Sequence, residues 1–123
     1  MSPVRVMLVE DNDVFREALE LMLGMRDEVE VVASVGDGSA ALDAVLEQTP
    51  DVVLIDYRMP GLDGAEATAQ LLAKVPTVRV VALTASADAS QRAALLAAGA
   101  VACLGKDEEL EEIVSAIRRA ASA

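Results

Sequence analysis

Val52-Val53-Leu54-Ile55 is an unbroken apolar run that ends on Asp56, with Pro50 ahead of it and the turn signal Pro60-Gly61 behind. Four hydrophobics in a row are too few for a buried helix, and without polar alternation they read as a strand covered on both faces. Such a strand delivers Asp56 to the edge of a sheet. The pattern recurs along the chain. Val4 to Val9, broken only by Arg5, runs into Glu10-Asp11; Val78 to Leu83 ends at Thr84; Val101 to Leu104 ends near Lys106. Apolar runs that each terminate in a functional group predict parallel strands whose carboxyl ends share one crevice.

The segments between these runs have helical periodicity. Phe15, Ala18, Leu19 and Met22 predict an amphipathic helix over 13–25, and Ser39 to Gln48 a second. Val29 to Ala33, cut by Glu30 and closed by Gly36-Asp37-Gly38, reads as a partly exposed strand near a sheet edge. A third helix over 64–75 would turn Ala65, Ala69, Leu72 and Val75 to one side, with Pro76 behind it. Asp88 to Gln91 has capping-box spacing and opens an alanine-rich helix that Gly99 closes. Leu110, Ile113, Val114 and Ile117 form the stripe of a last helix, with acids before it and Arg118-Arg119 at its end, as the helix dipole favours. Asp13 and Asp63 read as cap or turn residues and the methionines as core filler. Gly61, Gly64 and Gly99 are expected to serve backbone conformation. Strands alternating with helices through short connections give an open, parallel α/β sheet with five helices over both faces.

Length and charge narrow the function. The 123 residues suit one domain spanning 1–123, with no internal repeat or linker. One cysteine forms no internal disulfide, and the lack of histidine removes imidazole zinc sites and Ser-His or Cys-His catalysis. A net charge of −11 argues against direct nucleic-acid binding by this chain, which would call for a basic patch. No apolar segment approaches the length of a membrane helix, so a cytoplasmic protein without membrane contact is expected.

Glu10-Asp11, Asp56 with Met59-Pro60-Gly61, Thr84-Ala85 and Lys106 stand in an order and spacing that resembles the receiver domain of two-component response regulators, over nearly the whole chain. The resemblance implies a flavodoxin-like, CheY-like doubly wound sheet of order 2-1-3-4-5. Leu62-Asp63-Gly64, Leu83-Thr84-Ala85, Ala98-Gly99-Ala100 and Lys106-Asp107 are most similar to receivers of the NarL/LuxR type, which usually precede a helix-turn-helix output domain. Such a domain is not in this chain. It was either removed, or the receiver stands alone.

The residues themselves support that chemistry. Glu10, Asp11 and Asp56 at neighbouring strand ends repel one another unless a cation intervenes, and an all-oxygen set favours Mg²⁺. An aspartate carboxylate can attack phosphorus to form an aspartyl phosphate, and Asp56 is the candidate nucleophile. Phosphoryl transfer otherwise needs charge neutralisation and positioning, which suit Lys106, Thr84 and Mg²⁺. The resemblance adds the Arg58 backbone carbonyl as a metal ligand and the Ala85 N–H as a phosphoryl donor. It also implies a sensor histidine kinase as partner, a signalling switch that catalyses its own phosphorylation and dephosphorylation, and homodimerisation through the first or last helix, for which the flank of Ile113, Ala116, Arg119 and Ala120 is a candidate.

Taken singly, each of these residues is more often a surface turn, a cap or a solubilising charge; the set as a whole favours the functional reading. A phosphorylation-independent interaction module is the alternative. An aspartate-nucleophile phosphatase would resemble Asp-x-Asp, whereas Tyr57-Arg58 follows Asp56, and no phosphate-binding glycine loop follows the first strand as a flavodoxin-like cofactor protein requires. Two features depart from the family. Asp107 follows Lys106 where many receivers have a cis proline, so a trans bond is expected. Cys103 stands where an aromatic messenger is usual, so an aromatic rotamer switch is not expected.

Overall fold

A computed structural model describes residues 2–85 and 88–123, so that Met1 and two residues of the loop after Thr84 lie outside it. The elements alternate without exception: β1 (Val4–Val9), α1 (Asp13–Gly24), β2 (Val29–Val35), α2 (Gly38–Gln48), β3 (Val52–Ile55), α3 (Gly64–Lys74), β4 (Arg79–Thr84), α4 (Ala89–Ala98), β5 (Ala102–Gly105) and α5 (Leu110–Ser122). The strands are parallel in the order β2-β1-β3-β4-β5. This is the CheY-like doubly wound fold, with β2 on an edge as its interrupted apolar pattern predicts.

Successive strand residues point to opposite faces, so a sheet covered twice needs apolar side chains at every position. Val53 and Ile55 face a layer formed with Ala41 and Val45 of α2, Ala67 and Leu71 of α3 and Leu95 of α4. Val52 and Leu54 face the other way, onto Leu19 and Leu23 of α1 and Ile113, Val114 and Ile117 of α5. Each such side chain contributes about 1.5–3 kcal/mol by leaving water, which makes β3 the anchor of both layers.

Two helix faces differ from the periodicity reading. On α1 the inward stripe is Phe15, Leu19 and Leu23, while Ala18 and Met22 are exposed. On α3 the buried face is Gly64, Ala67, Thr68 and Leu71; Ala65, Leu72 and Val75 lie at its margin and Ala69 is exposed. Alanine carries little hydrophobic signal, and Thr68 hides its polarity by donating its hydroxyl to the Gly64 carbonyl at 2.7 Å. Met7 and Met59 are core residues, as expected, but Met22 and Met25 face outward. The last helix matches its stripe and extends it to Ala116 and Ala120. Its supposed pairing flank is therefore corrected: Ile113, Ala116 and Ala120 are buried in the chain's own core, and Arg119 alone of that set is exposed.

Helix starts follow the capping chemistry. Asn12, Asp37, Asp63 and Asp88 each accept a backbone N–H of the first turn, as N-cap side chains do. Asp13 lies just inside α1 and pairs with Arg16 at 2.8 Å. Gly61 and Gly99 have positive φ, at 81° and 115°, where a side chain is strained. Gly64 is required for a different reason: a Cβ there would collide with the Asp56 carbonyl oxygen.

Candidate functional site

The sheet places every candidate side chain at one edge, the carboxyl ends of the strands. Two hydrogen bonds beyond the strands fix the backbone there. The Asp56 N–H donates to Val9 O at 3.0 Å, and the Lys106 N–H donates to Thr84 O at 2.9 Å. Each continues the ladder of its strand pair by one rung, so the positions of Asp56 and Lys106 are dictated by sheet register. Behind Asp56 the loop closes when the Gly64 N–H donates to Tyr57 O at 2.7 Å.

Glu10, Asp11 and Asp56 each offer a carboxylate oxygen within 4.8 Å of the others. Glu10 and Asp56 are buried, at 4% and 6% exposure, and Asp11 is exposed. Lys106 Nζ forms an ion pair with Glu10 and lies 3.3 Å from Asp56 Oδ2. Three carboxylates and one ammonium leave a charge deficit that a divalent cation would cancel. Asp56 Oδ1 is buried without a hydrogen-bond partner among the described residues, which is costly in a protein interior unless a cation or donor serves it. The oxygen-only donor set and the orphaned Oδ1 fit a hard divalent ion such as Mg²⁺.

Burial pushes the Glu10 carboxyl above its ordinary range, with the Asp56 charge adding to the shift and the bonds from Lys106 and the Asn12 N–H opposing it. Burial alone would pull Lys106 down, but its hydrogen bond to Glu10 and the charges of Asp56 and Glu10 outweigh this, so the amine is raised and stays an ammonium. Thr84 is buried at the end of β4, and its neighbour Ala85 is exposed. Thr84, Ala85 and Lys106 line one cleft, together with Arg92. Arg58, exposed, lines a second with Asp11 and Gln91.

The structure thus brings Glu10, Asp11, Asp56 and Lys106 into direct contact or near it, and sets Thr84, Ala85 and Arg58 on the flanks. Three further groups were not evident from the sequence. The Arg16 guanidinium donates to the Glu10 carbonyl at 2.7 Å. The Asn12 N–H donates to Glu10 Oε2 at 3.1 Å, fixing that carboxylate. The Phe15 ring lies beside the Lys106 ammonium, 4.6 Å from ring centroid to Nζ. For Phe15 the available signal was its place as the first inward position of the helix that follows Glu10-Asp11.

Cys103 is partly buried on β5, packed against the layer of α2, α3 and α4, and its carbonyl accepts from Arg92 Nη1 at 2.9 Å. Burial pushes its thiol up, against the Arg92 charge, so it stays protonated at neutral pH. No cis peptide bond occurs among the described residues, in keeping with Asp107 after Lys106.

A doubly wound parallel sheet with a carboxylate cluster and a lysine at the carboxyl ends of its strands defines a class of α/β proteins that act at this edge. Residues 6–118 match the family described as the response regulator receiver domain. The response regulator GacA of Pseudomonas viridiflava is 40% identical over 115 residues, covering 94% of this chain and 54% of that protein. The transcriptional regulatory protein DegU of Brevibacillus brevis is 34% identical over 117 residues, covering 95% and 50%. The solved signal receiver domain of the response regulator NarL from Mycobacterium tuberculosis superposes with a TM-score of 0.94 at 36% identity, covering 100% of this chain and 99% of that one.

This chain is a response regulator receiver domain, of the two-component signalling family. It spans about half the length of the curated relatives it matches. Receiver domains are signalling switches that partner with histidine kinases and use Mg²⁺ through an acidic pocket, and Glu10, Asp11 and Asp56 form such a cluster here. Among the described residues no helix is long and apolar enough to cross a membrane.

Proposed function

We propose that this domain accepts a phosphoryl group on Asp56 from a sensor histidine kinase, in a reaction that needs Mg²⁺. The observation that carries the reading is the buried Asp56 carboxylate, with one oxygen 3.3 Å from Lys106 Nζ and the other without a partner among the described residues, inside a cluster of acid oxygens. Glu10, Asp11, Asp56 and the Arg58 backbone carbonyl would hold the ion, which supplies charge neutralisation to the transferring group. An Asp56 oxygen attacks phosphorus as the bond from phosphorus to the donor nitrogen breaks, and the lone pair leaves with the donor imidazole. Lys106 compensates negative charge on one phosphoryl oxygen; the Thr84 hydroxyl and the Ala85 N–H donate to others. Attack of water on the same phosphorus breaks its bond to the Asp56 oxygen, releases inorganic phosphate and returns Asp56 to a carboxylate, which makes the state transient.

The phosphorylated state differs from the free one by contacts that exist only when phosphate is present, and such contacts are what shift a two-state equilibrium. The loop after Thr84 and its helix α4 are the elements they would move. We assign output to a LuxR-type helix-turn-helix DNA-binding domain outside this chain, in a cytoplasmic transcription regulator; relatives of about twice the matched length, one of them named a transcriptional regulatory protein, support that assignment. Homodimerisation is assigned to α1 and the residue that caps its end, where Val14, Leu21 and Met25 are 79%, 70% and 70% exposed. The direct test is intact-mass analysis after incubation with acetyl phosphate, with and without Mg²⁺. Wild type should gain one phosphoryl group only with the metal. Uptake by Asp56→Asn at the wild-type level would defeat the assignment.

A further inference from the structure

We propose that Phe15 is a positioning residue for phosphoryl transfer, its ring face holding the Lys106 ammonium beside Asp56; the inference rests on Asp56 being the phosphoacceptor. Lys106 Nζ lies 4.6 Å from the centroid of the Phe15 ring, inside the range of about 6 Å over which an aromatic face attracts a cation. The lysine side chain is only 17% exposed, so water does little to screen that attraction. An ammonium on a flexible four-carbon stem must be ordered before it can serve a transition state.

The neighbours of the ammonium pull unequally. Glu10 holds it in a close ion pair, while Asp56 Oδ2 stands at 3.3 Å. Glu10 is itself fixed through Oε2 by the Asn12 N–H and through its carbonyl by Arg16, so it does not follow the lysine when a phosphoryl group arrives. The Phe15 ring, over which the ammonium lies, holds the amine by its quadrupole without bonding it. It takes up none of the directed N–H donors that Asp56 and a phosphoryl oxygen require.

Phe15 is suited to this task by its own anchoring. Its N–H donates to the Asn12 cap at 2.9 Å in the first turn of α1, and its side chain packs on the layer that holds Leu19 and Leu54. A residue that merely filled that layer would be indifferent to the chemistry of its ring. The contact with Lys106 distinguishes the two roles.

The test uses the full chain with variants at position 15. In ¹H–¹³C spectra of the metal-free protein, the Lys106 ε-methylene protons should be displaced upfield by the ring current, a displacement lost in Phe15→Leu and kept in Phe15→Tyr. This measurement needs no phosphate. With saturating Mg²⁺ and acetyl phosphate, uptake followed by intact mass should slow about fivefold when cyclohexylalanine, which fills the same space without a π face, replaces Phe15. That factor corresponds to about 1 kcal/mol. Phe15→Tyr should stay near wild type. Unshifted Lys106 resonances, or wild-type uptake with cyclohexylalanine at position 15, would overturn the proposal. Failure of wild type to take up phosphate would instead defeat the reading of Asp56, and this role with it.

Discussion

Gly64→Ala should destabilise the domain by about 1–3 kcal/mol, although alanine is the better helix former. Gly64 opens α3, where the replacement by itself would gain up to about 1 kcal/mol. The added Cβ, however, would collide with the Asp56 carbonyl oxygen and stand 2.8 Å from Tyr57 Cα and 3.0 Å from the Asp56 carbonyl carbon. All three are backbone atoms, which cannot rotate away as a side chain would. Relieving such overpacking costs about 1–3 kcal/mol, and the shift strains the Gly64 N–H bond to Tyr57 O, worth about another 1 kcal/mol. The steric terms win. Because two of the three displaced atoms belong to Asp56 itself, phosphoryl uptake should fall as well, since displacement of a reacting group by about 1 Å can cost about 100-fold.

Gly24→Ala provides the control. Gly24 is also helical, but a Cβ there meets nothing within 4 Å, and the gain should be about 0.4–1 kcal/mol. Urea denaturation of both variants and wild type, followed by circular dichroism, gives the comparison. If Gly64→Ala proves as stable as wild type, or if the two variants shift in the same direction, the close approach of the loop to Asp56 is not a real constraint.

Two other outcomes follow from the same geometry. Glu10→Gln combined with Asp11→Asn should abolish Mg²⁺ binding by calorimetry while leaving a folded domain. Burial raises the Glu10 carboxyl above its ordinary value, so the stability linked to its proton is fully present below the unfolded value near 4.5 and is lost as pH rises through the folded one. Metal-free variant and wild type should therefore diverge from about pH 4.5 upward, the variant being the more stable, and parallel thermal unfolding curves at all pH values would refute this. Cys103→Ser or Cys103→Ala should leave a phosphorylation-dependent shift in sedimentation intact and Thr84→Ala should blunt it; loss of the shift in the cysteine variants, with phosphate still taken up, would make Cys103 a messenger.

What could be read in advance follows from where each signal originates. The strands were legible because burial on two faces removes polar alternation, and Val52 to Ile55 shows this most directly. The last helix was legible because its stripe is built from large aliphatics. Helices α1 and α3 were recognised as helices, with Phe15 and Leu19 on the inward side, but part of each stripe was misplaced, because Ala18, Met22 and Ala69 are compatible with either face and Thr68 conceals a satisfied hydroxyl. The need for Gly64 was read from its type, while its cause, a backbone atom eight residues earlier, exists only in the folded loop. The gathering of Glu10, Asp11, Asp56 and Lys106 could be inferred from strand ends, since sheet register does the gathering. Phe15 against Lys106 could not, because a helix after one strand and a loop after another meet only through packing.

The two extra rungs at the sheet edge set a span that side-chain length must match. Asp56 prolongs β3 and Lys106 prolongs β5, with β4 between them, so their backbones stand two strand spacings apart, about 9.6 Å. Aspartate is short, and a four-carbon stem on the opposing strand makes up the difference, passing beside Thr84 on the middle strand. Position 106 is in this sense a matter of reach before it is a matter of charge. A shorter amine there would carry the same positive charge and fall short of Asp56 by the length of the missing carbons.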